Sequence, residues 1–259
     1  MKDFRLYNNI AGWGVFVIAT LVYLVTIEST ASFWDCGEFI AASYKMQVGH
    51  PPGAPLFLLF GRIFSLFAGG NAEFVPVMIN ALSALASSFT VLFLFWTISH
   101  LALKITGKKE VYTPSELIIV LGSALTGSLS YAFSDTFWFS AAEGEVYASS
   151  SLFTALVFWA ILKWENVAGE KAANRWLVLI AYLMGLSIGV HLLNLLAIPA
   201  IVLIYYFKTY KISRRGVFYA LVVAIAILAS IMYVLLPGLV QLATWVERIT
   251  VNTFGVPYW

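Results

Sequence analysis

The chain has 259 residues, 61% of them hydrophobic and only 11% charged, against about 25% charged in an average soluble domain. That balance excludes a soluble enzyme and reads as an integral membrane protein. A net charge of +2 without basic runs outside short connections offers nucleic acid no surface, and the single cysteine, Cys36, cannot form an internal disulfide.

A bilayer core of about 30 Å takes about 20 helical residues, and the first apolar run of that kind is 10 to 27. After it comes the longest predicted outer loop, 28 to 73. It opens on Phe33-Trp34-Asp35-Cys36-Gly37-Glu38-Phe39, an acidic pair in a chain of few carboxylates. Residues 37 to 47 are expected to form a short helix, stopped by Gly49-His50-Pro51-Pro52-Gly53, since proline fixes the backbone and cannot continue a helix. Residues 54 to 68 are apolar but too short to span, so they are expected to lie in the interface or to re-enter it, roofing a cavity.

Further spans are predicted at 75 to 99, 117 to 133, 146 to 162 and 217 to 236. The run 176 to 207 would be about 48 Å long at about 1.5 Å per residue. Lys163, Lys171 and Arg175 precede it, and Lys208, Lys211, Arg214 and Arg215 follow it. Both basic flanks belong in the cytoplasm, so the run is expected to cross twice, turning near His191 to Asn194. The outcome is an all-α, polytopic protein of about seven transmembrane helices, with the amino terminus inside and the carboxyl terminus outside. In that orientation Lys2, Arg5, Lys104, Lys108 and Lys109 also fall inside. Only Lys45, Arg62 and Arg248 fall outside.

The acids gather on the outer side: Glu28, Asp35, Glu38, Glu73, Asp135, Glu143, Glu145 and Glu247. Structural roles compete for each candidate. Asp35-x-x-Glu38 has the form of a helix capping box, His50 suits a turn packed on proline, and Glu143-Gly144-Glu145 suits a solvated loop. His191 and Asn194, at i and i+3 on one helix face, could bond the loose carbonyls of a hairpin. What sets them apart is that all map to one membrane surface.

Trp34-Asp35-x-Gly37-Glu38, Gly49-His50-Pro51-Pro52-Gly53, Glu143-x-Glu145-Val146-Tyr147 and His191-Leu192-Leu193-Asn194 together resemble a bacterial multi-spanning family formerly without assigned function. That family is similar to the eukaryotic transmembrane protein O-mannosyltransferases, and through them to the GT-C superfamily of glycosyltransferases. The resemblance covers essentially residues 1 to 259 and implies a GT-C-like core with two juxtamembrane helices and a catalytic carboxylate in the first outer loop. It further implies a polyprenyl-phosphate-sugar donor, a protein or glycan hydroxyl as acceptor, and a site on the outer face of a cell (inner) membrane.

Within that resemblance Asp35 is expected to be the general base, a role worth typically about 10² to 10⁴ in rate, with Glu38 orienting it or the acceptor. His50, Glu143, Glu145, His191 and Asn194 are the expected substrate-binding residues. Arg248 is the candidate to stabilise the leaving phosphate. Glu143-x-Glu145 is similar to an acidic motif that binds a divalent metal in some GT-C enzymes, and oxygen ligands suit Mg²⁺ or Mn²⁺; no cofactor is otherwise implied. Two departures stand out. Protein O-mannosyltransferases carry an adjacent Asp-Glu pair where Asp35 and Glu38 are separated, and relatives of this type continue beyond a point like Trp259 into further spans and a soluble part. The chain is therefore expected to be the amino-terminal part of a longer protein. The rival readings are a transporter or lipid flippase, which should carry mid-membrane ionisable groups or repeats, and a non-catalytic membrane fragment.

Overall fold

The computed structural model describes residues 2–51, 53–107, 109 and 112–257, without the side chains of Lys2 and Asp3. Pro52 of the proline turn, Lys108 of the first basic connection and Trp259 lie outside the described residues, as does the side chain of Lys2. Among the described residues every regular element is helical, and the chain divides into two units, Met1–Asn194 and Leu195–Trp259.

The first unit is built around α4 (Val75–Thr106), with α1 (Lys2–Val25), α5 (Pro114–Ala132) and α7 (Val146–Val167) packed on it. Small residues let these apolar helices approach where lipid supplies no hydrophobic drive between them. Ala19 of α1, Ala84 of α4 and Ala124 of α5 are buried beside Val15, Val91 and Phe95. Two hydroxyls inside α4 return to its own backbone, Ser88 to Ala84 O and Thr90 to Ala86 O, so none is left unpaired in the apolar layer at those two positions, while Ser83 donates across to Glu145 O at 3.4 Å. At the amino end of α5 the Thr113 side chain and Glu116 form a complete capping box.

Two short helices fill the 28–73 loop where the sequence predicts them. They are α2 (Cys36–Lys45) and α3 (Pro55–Ser65), the latter extended by a 3-10 turn, Leu66–Ala68. Gly53 takes φ +90, a conformation glycine adopts without strain, and Pro55 opens α3 at a position where its missing N–H costs nothing. Between α5 and α7 stands α6 (Asp135–Ala142), a further juxtamembrane helix that the hydropathy pattern does not reveal.

The 176–207 run is broken as predicted. α8 (Asn174–Ile188) ends at Gly189, a 3-10 turn occupies Leu192–Ala197, and α9 (Ile198–Thr209) follows, with a proline in its first turn. Among the described residues six helices are long and apolar enough to cross a membrane, against the seven expected, and Pro55–Ala68 and α8 are shorter apolar helices.

The second unit comprises α9, α10 (Arg214–Ser230) and α11 (Leu236–Phe254). Ser213 caps α10 by accepting from Gly216 N at 3.0 Å. The last predicted span, 217 to 236, is longer than expected: helix continues from Arg214 to Phe254 through one π turn, Ile231–Leu235. Pro237 stands just beyond that turn. A proline clashes with the carbonyl four residues before it, here Tyr233 in the widened turn, so the π turn relieves the conflict that would otherwise end the helix.

Candidate active site

The segment that carries Asp35 is held by α4 and α6 rather than by structure of its own. Asn80 of α4, fully buried, donates from Nδ2 to Glu28 O at 2.7 Å and Thr30 O at 3.0 Å. Glu28 N donates to Ala142 O at 3.0 Å, at the end of α6, and Trp138 Nε1 of α6 donates to Thr26 Oγ1 at 2.8 Å. Ser32 Oγ donates to the Glu143 carboxylate. The chain then turns through Trp34 at φ +65, a left-handed conformation uncommon for a bulky residue and of a kind that collects at functional sites. Asp35 follows directly.

Asp35 shares a cavity of about 610 Å³ with Glu143, Glu145, Trp34, Tyr131 and Tyr147, within the size range of small-molecule sites. Its walls come from the start of the 28–73 loop, the end of α5, α6 and the start of α7. Glu143 also borders a neighbouring cavity of about 540 Å³ lined by Thr26, Glu28 and Trp138. The Glu143-Gly144-Glu145 segment is not the solvated loop its composition allows. Glu143 is 5% and Glu145 3% exposed, because α6 covers one side and α4 the other; a Cβ on Gly144 would lie 2.7 Å from Asn80 Oδ1.

Burial sets the electrostatics. The Glu145 carboxyl is pushed up to about 7, first by burial and then by the negative charges of Glu143 and Asp35, while the Asp35 N–H and His50 draw it back. Burial also raises Glu143, against the Ser32 hydrogen bond. Glu145 is thus held partly protonated near neutrality, with Glu143 shifted in the same direction.

Glu38 departs from the capping role. Asp35 is the N-cap residue of α2 but sits at φ −85, ψ −2 and makes no side-chain capping bond, since a capping side chain needs an extended N-cap backbone. Glu38 instead accepts from His50 N at 2.6 Å and meets His50 Nδ1 at 3.1 Å, and those bonds, the backbone one first, hold its carboxyl below the ordinary range. The other imidazole nitrogen lies 3.7 Å from Asp35 Oδ2. His50 therefore joins Asp35 and Glu38 in an exposed cluster whose ligand atoms lie within 4.8 Å of one another, a mixed nitrogen and oxygen set compatible with Mn²⁺ and, through its carboxylates, Mg²⁺.

The remaining candidates are placed apart. His191 accepts from Leu193 N at 3.1 Å through Nδ1 and packs its ring 5.5 Å from Tyr147, so it borders the cavity through that tyrosine. Burial lowers its pKa, which disfavours its cationic form. Asn194 does not bond carbonyls at the hairpin. It is fully buried, with Oδ1 accepting from Thr154 Oγ1 at 3.0 Å and Nδ2 3.3 Å from Met184 Sδ. Arg248 lies exposed on α11 of the second unit. Lys45 and Arg62 line a separate cleft, where Arg62 Nη1 donates to Tyr44 O at 2.9 Å and so satisfies the end of α2. Among the described residues no Lys, Arg or His lines the acidic cavity. Sequence reasoning missed Asn80 and α6. A single amide near one end of an apolar span was the available signal for Asn80.

Residues 35–214 match the family model described as the N-terminal domain of Protein O-mannosyl-transferase TMEM260. Protein O-mannosyl-transferase tmem260 of Dictyostelium discoideum is 26% identical over 233 residues, covering 87% of this chain and 26% of that protein. The mouse protein of the same name is 26% identical over 249 residues, covering 93% of this chain and 32% of its own length. The chain thus spans between a quarter and a third of these curated relatives. No solved structure matches.

Proposed function

The chain belongs to the family of the protein O-mannosyl-transferase TMEM260 N-terminal domain, and from that premise we propose that it forms the donor and catalytic region of a membrane glycosyltransferase. The proposed reaction moves a mannose-like sugar from a polyprenyl-phosphate carrier to a protein Ser or Thr hydroxyl on the outer face of the membrane. The observation that carries this reading is the convergence of Asp35, Glu143 and Glu145 on one cavity beyond the end of α1. There a carboxylate can meet both a carrier anchored in lipid and a hydroxyl arriving from water.

In the proposed step the acceptor oxygen bonds to the anomeric carbon of the sugar as the bond from that carbon to the carrier phosphate breaks. Asp35 takes the hydroxyl proton, and the carrier leaves as its phosphate. Asp35 is favoured over Glu38 as the base because Asp35 lines the cavity while Glu38 is engaged by His50. Glu145, poised near neutrality, can hold a proton beside Asp35 and so keep a third negative charge from repelling the donor phosphate. A divalent cation of the Mg²⁺ or Mn²⁺ class would be held by Asp35, Glu38 and His50 and would supply the positive charge that a phosphate leaving group needs.

The test uses the full-length protein, a polyprenyl-phosphate mannose donor and a Ser/Thr acceptor peptide. Asp35→Asn keeps the shape and removes the basicity. Turnover is expected to fall by about 10² or more with expression and membrane insertion unchanged. Near wild-type turnover in that variant would make Asp35 structural and the proposed base wrong.

A further inference from the structure

A second built cavity lies at the other end of the first unit, where α1 begins and α4 and α7 end. It measures about 500 Å³, and its lining includes Arg5, Asn8, Trp96, His100, Trp159 and Lys163, with no carboxylate among the described residues. Its two cations differ from the neighbouring lysines. Lys104 is paired with Glu165 and Lys109 with Glu116. Arg5 and Lys163 have no carboxylate partner among the described residues, and the Lys163 ammonium instead rests 4.9 Å over the Trp159 ring.

Independent of charge, two buried polar atoms in the same wall, Asn8 Oδ1 and Trp96 Nε1, have no hydrogen-bond partner. A buried polar group left unpaired is costly. Both side chains line the cavity that carries Arg5 and Lys163, and rotation of the Asn8 amide exchanges its oxygen for a donor nitrogen, so the wall offers an anion uncommitted donors beside its cations. The Trp96 ring edge packs close against α1 because residue 12 is glycine: a Cβ there would lie 2.6 Å from Nε1.

The geometry points to a binding site for a phosphate ester, the head group of an anionic phospholipid, held between Arg5 and Lys163 with the Trp96 indole donating to it. Phosphate is the anion chosen because two cations and several donors match its charge and its oxygens. The lipid form is chosen because the wall also carries aromatic and aliphatic side chains, Phe4 and Leu103 included. Basic pockets between span ends recognise such head groups. This site lies at the opposite end of α1 from the acidic cavity and does not depend on the transferase reading.

The experiment titrates the full chain, purified in a non-ionic detergent and stripped of lipid, with phosphatidylglycerol, phosphatidylcholine or inorganic phosphate, and follows thermal unfolding and bound lipid by native mass spectrometry. Phosphatidylglycerol is expected to raise Tm and to remain bound, whereas phosphatidylcholine does neither, and Arg5→Gln with Lys163→Gln weakens the apparent affinity by about tenfold or more. The same response to millimolar inorganic phosphate, equally lost in the double variant, supports the anion site and assigns its source to soluble phosphate. Should the double variant fail to fold, Trp96→Phe keeps the ring, removes the donor and must also weaken binding. No response to either anion, or a response unchanged in both variants, overturns the proposal.

Discussion

Glu145 shows how far one side chain's chemistry is decided by its surroundings. Its carboxyl sits at about 7 instead of the ordinary 4.5, chiefly through burial. A carboxyl whose folded pKa is raised resists ionising, so folding stability is undiminished below about 4.5 and falls as pH rises from there through 7. The loss at high pH is on the order of 3 kcal/mol. Glu145→Gln is expected to flatten that slope, measured as unfolding free energy at pH 5 and pH 8 in the same detergent. A wild-type slope in the variant would assign the titration to another group. At this scale the sequence displayed the right acids but not their states. Asp35, Glu38, Glu143 and Glu145 were visible as an outer-face cluster, whereas the division into an exposed, His50-linked group and a buried pair depends on what packs over them. The capping role given to Asp35 and Glu38 failed because a four-residue pattern does not reveal that Glu38 reaches His50, twelve residues on.

At the scale of elements, the outer loop was the most legible part. Two helices and the break between them followed from helix length, glycine and proline, and the structure places them at Cys36–Lys45 and Pro55–Ser65. α6 escaped because Asp135–Ala142 is only eight residues long, too few for a periodicity signal, and lies between runs that dominate any hydropathy window. Yet α6 is what turns Glu143 and Glu145 from loop acids into cavity walls. A Cβ on Gly144 between them would lie 2.7 Å from Asn80 Oδ1 and 3.2 Å from Ile79 Cγ2, so a methyl group enters only if they shift. Gly144→Ala is expected to push the two acids out of register and to lower turnover about tenfold or more while helical content by circular dichroism stays near wild type. Unchanged turnover would mean that the spacing of these acids is not used.

For the whole molecule, the length of the 176–207 run and the charge of its flanks divided it, and the break between α8 and α9 agrees with that. The long final helix was not legible, because a π turn is an accommodation to Pro237 and not a hydropathy feature. The orientation inferred from the basic connections predicts that a cysteine placed at Glu73 reacts with an impermeant thiol reagent added outside intact cells, whereas one placed at Glu170 reacts only after permeabilisation. The reverse pattern would invert the topology and place the acidic cavity on the inner side. The Asn80 contacts carry a consequence for how this protein tolerates change. Asn80 grips carbonyls at Glu28 and Thr30, not their side chains, so at these two positions the chain that delivers Asp35 is recognised through its backbone. Their spelling can drift while the path is kept. Glu28→Ala and Thr30→Val should therefore retain most of the turnover, whereas Asn80→Leu, similar in size but without the amide, should sharply raise proteolytic cutting between residues 26 and 35.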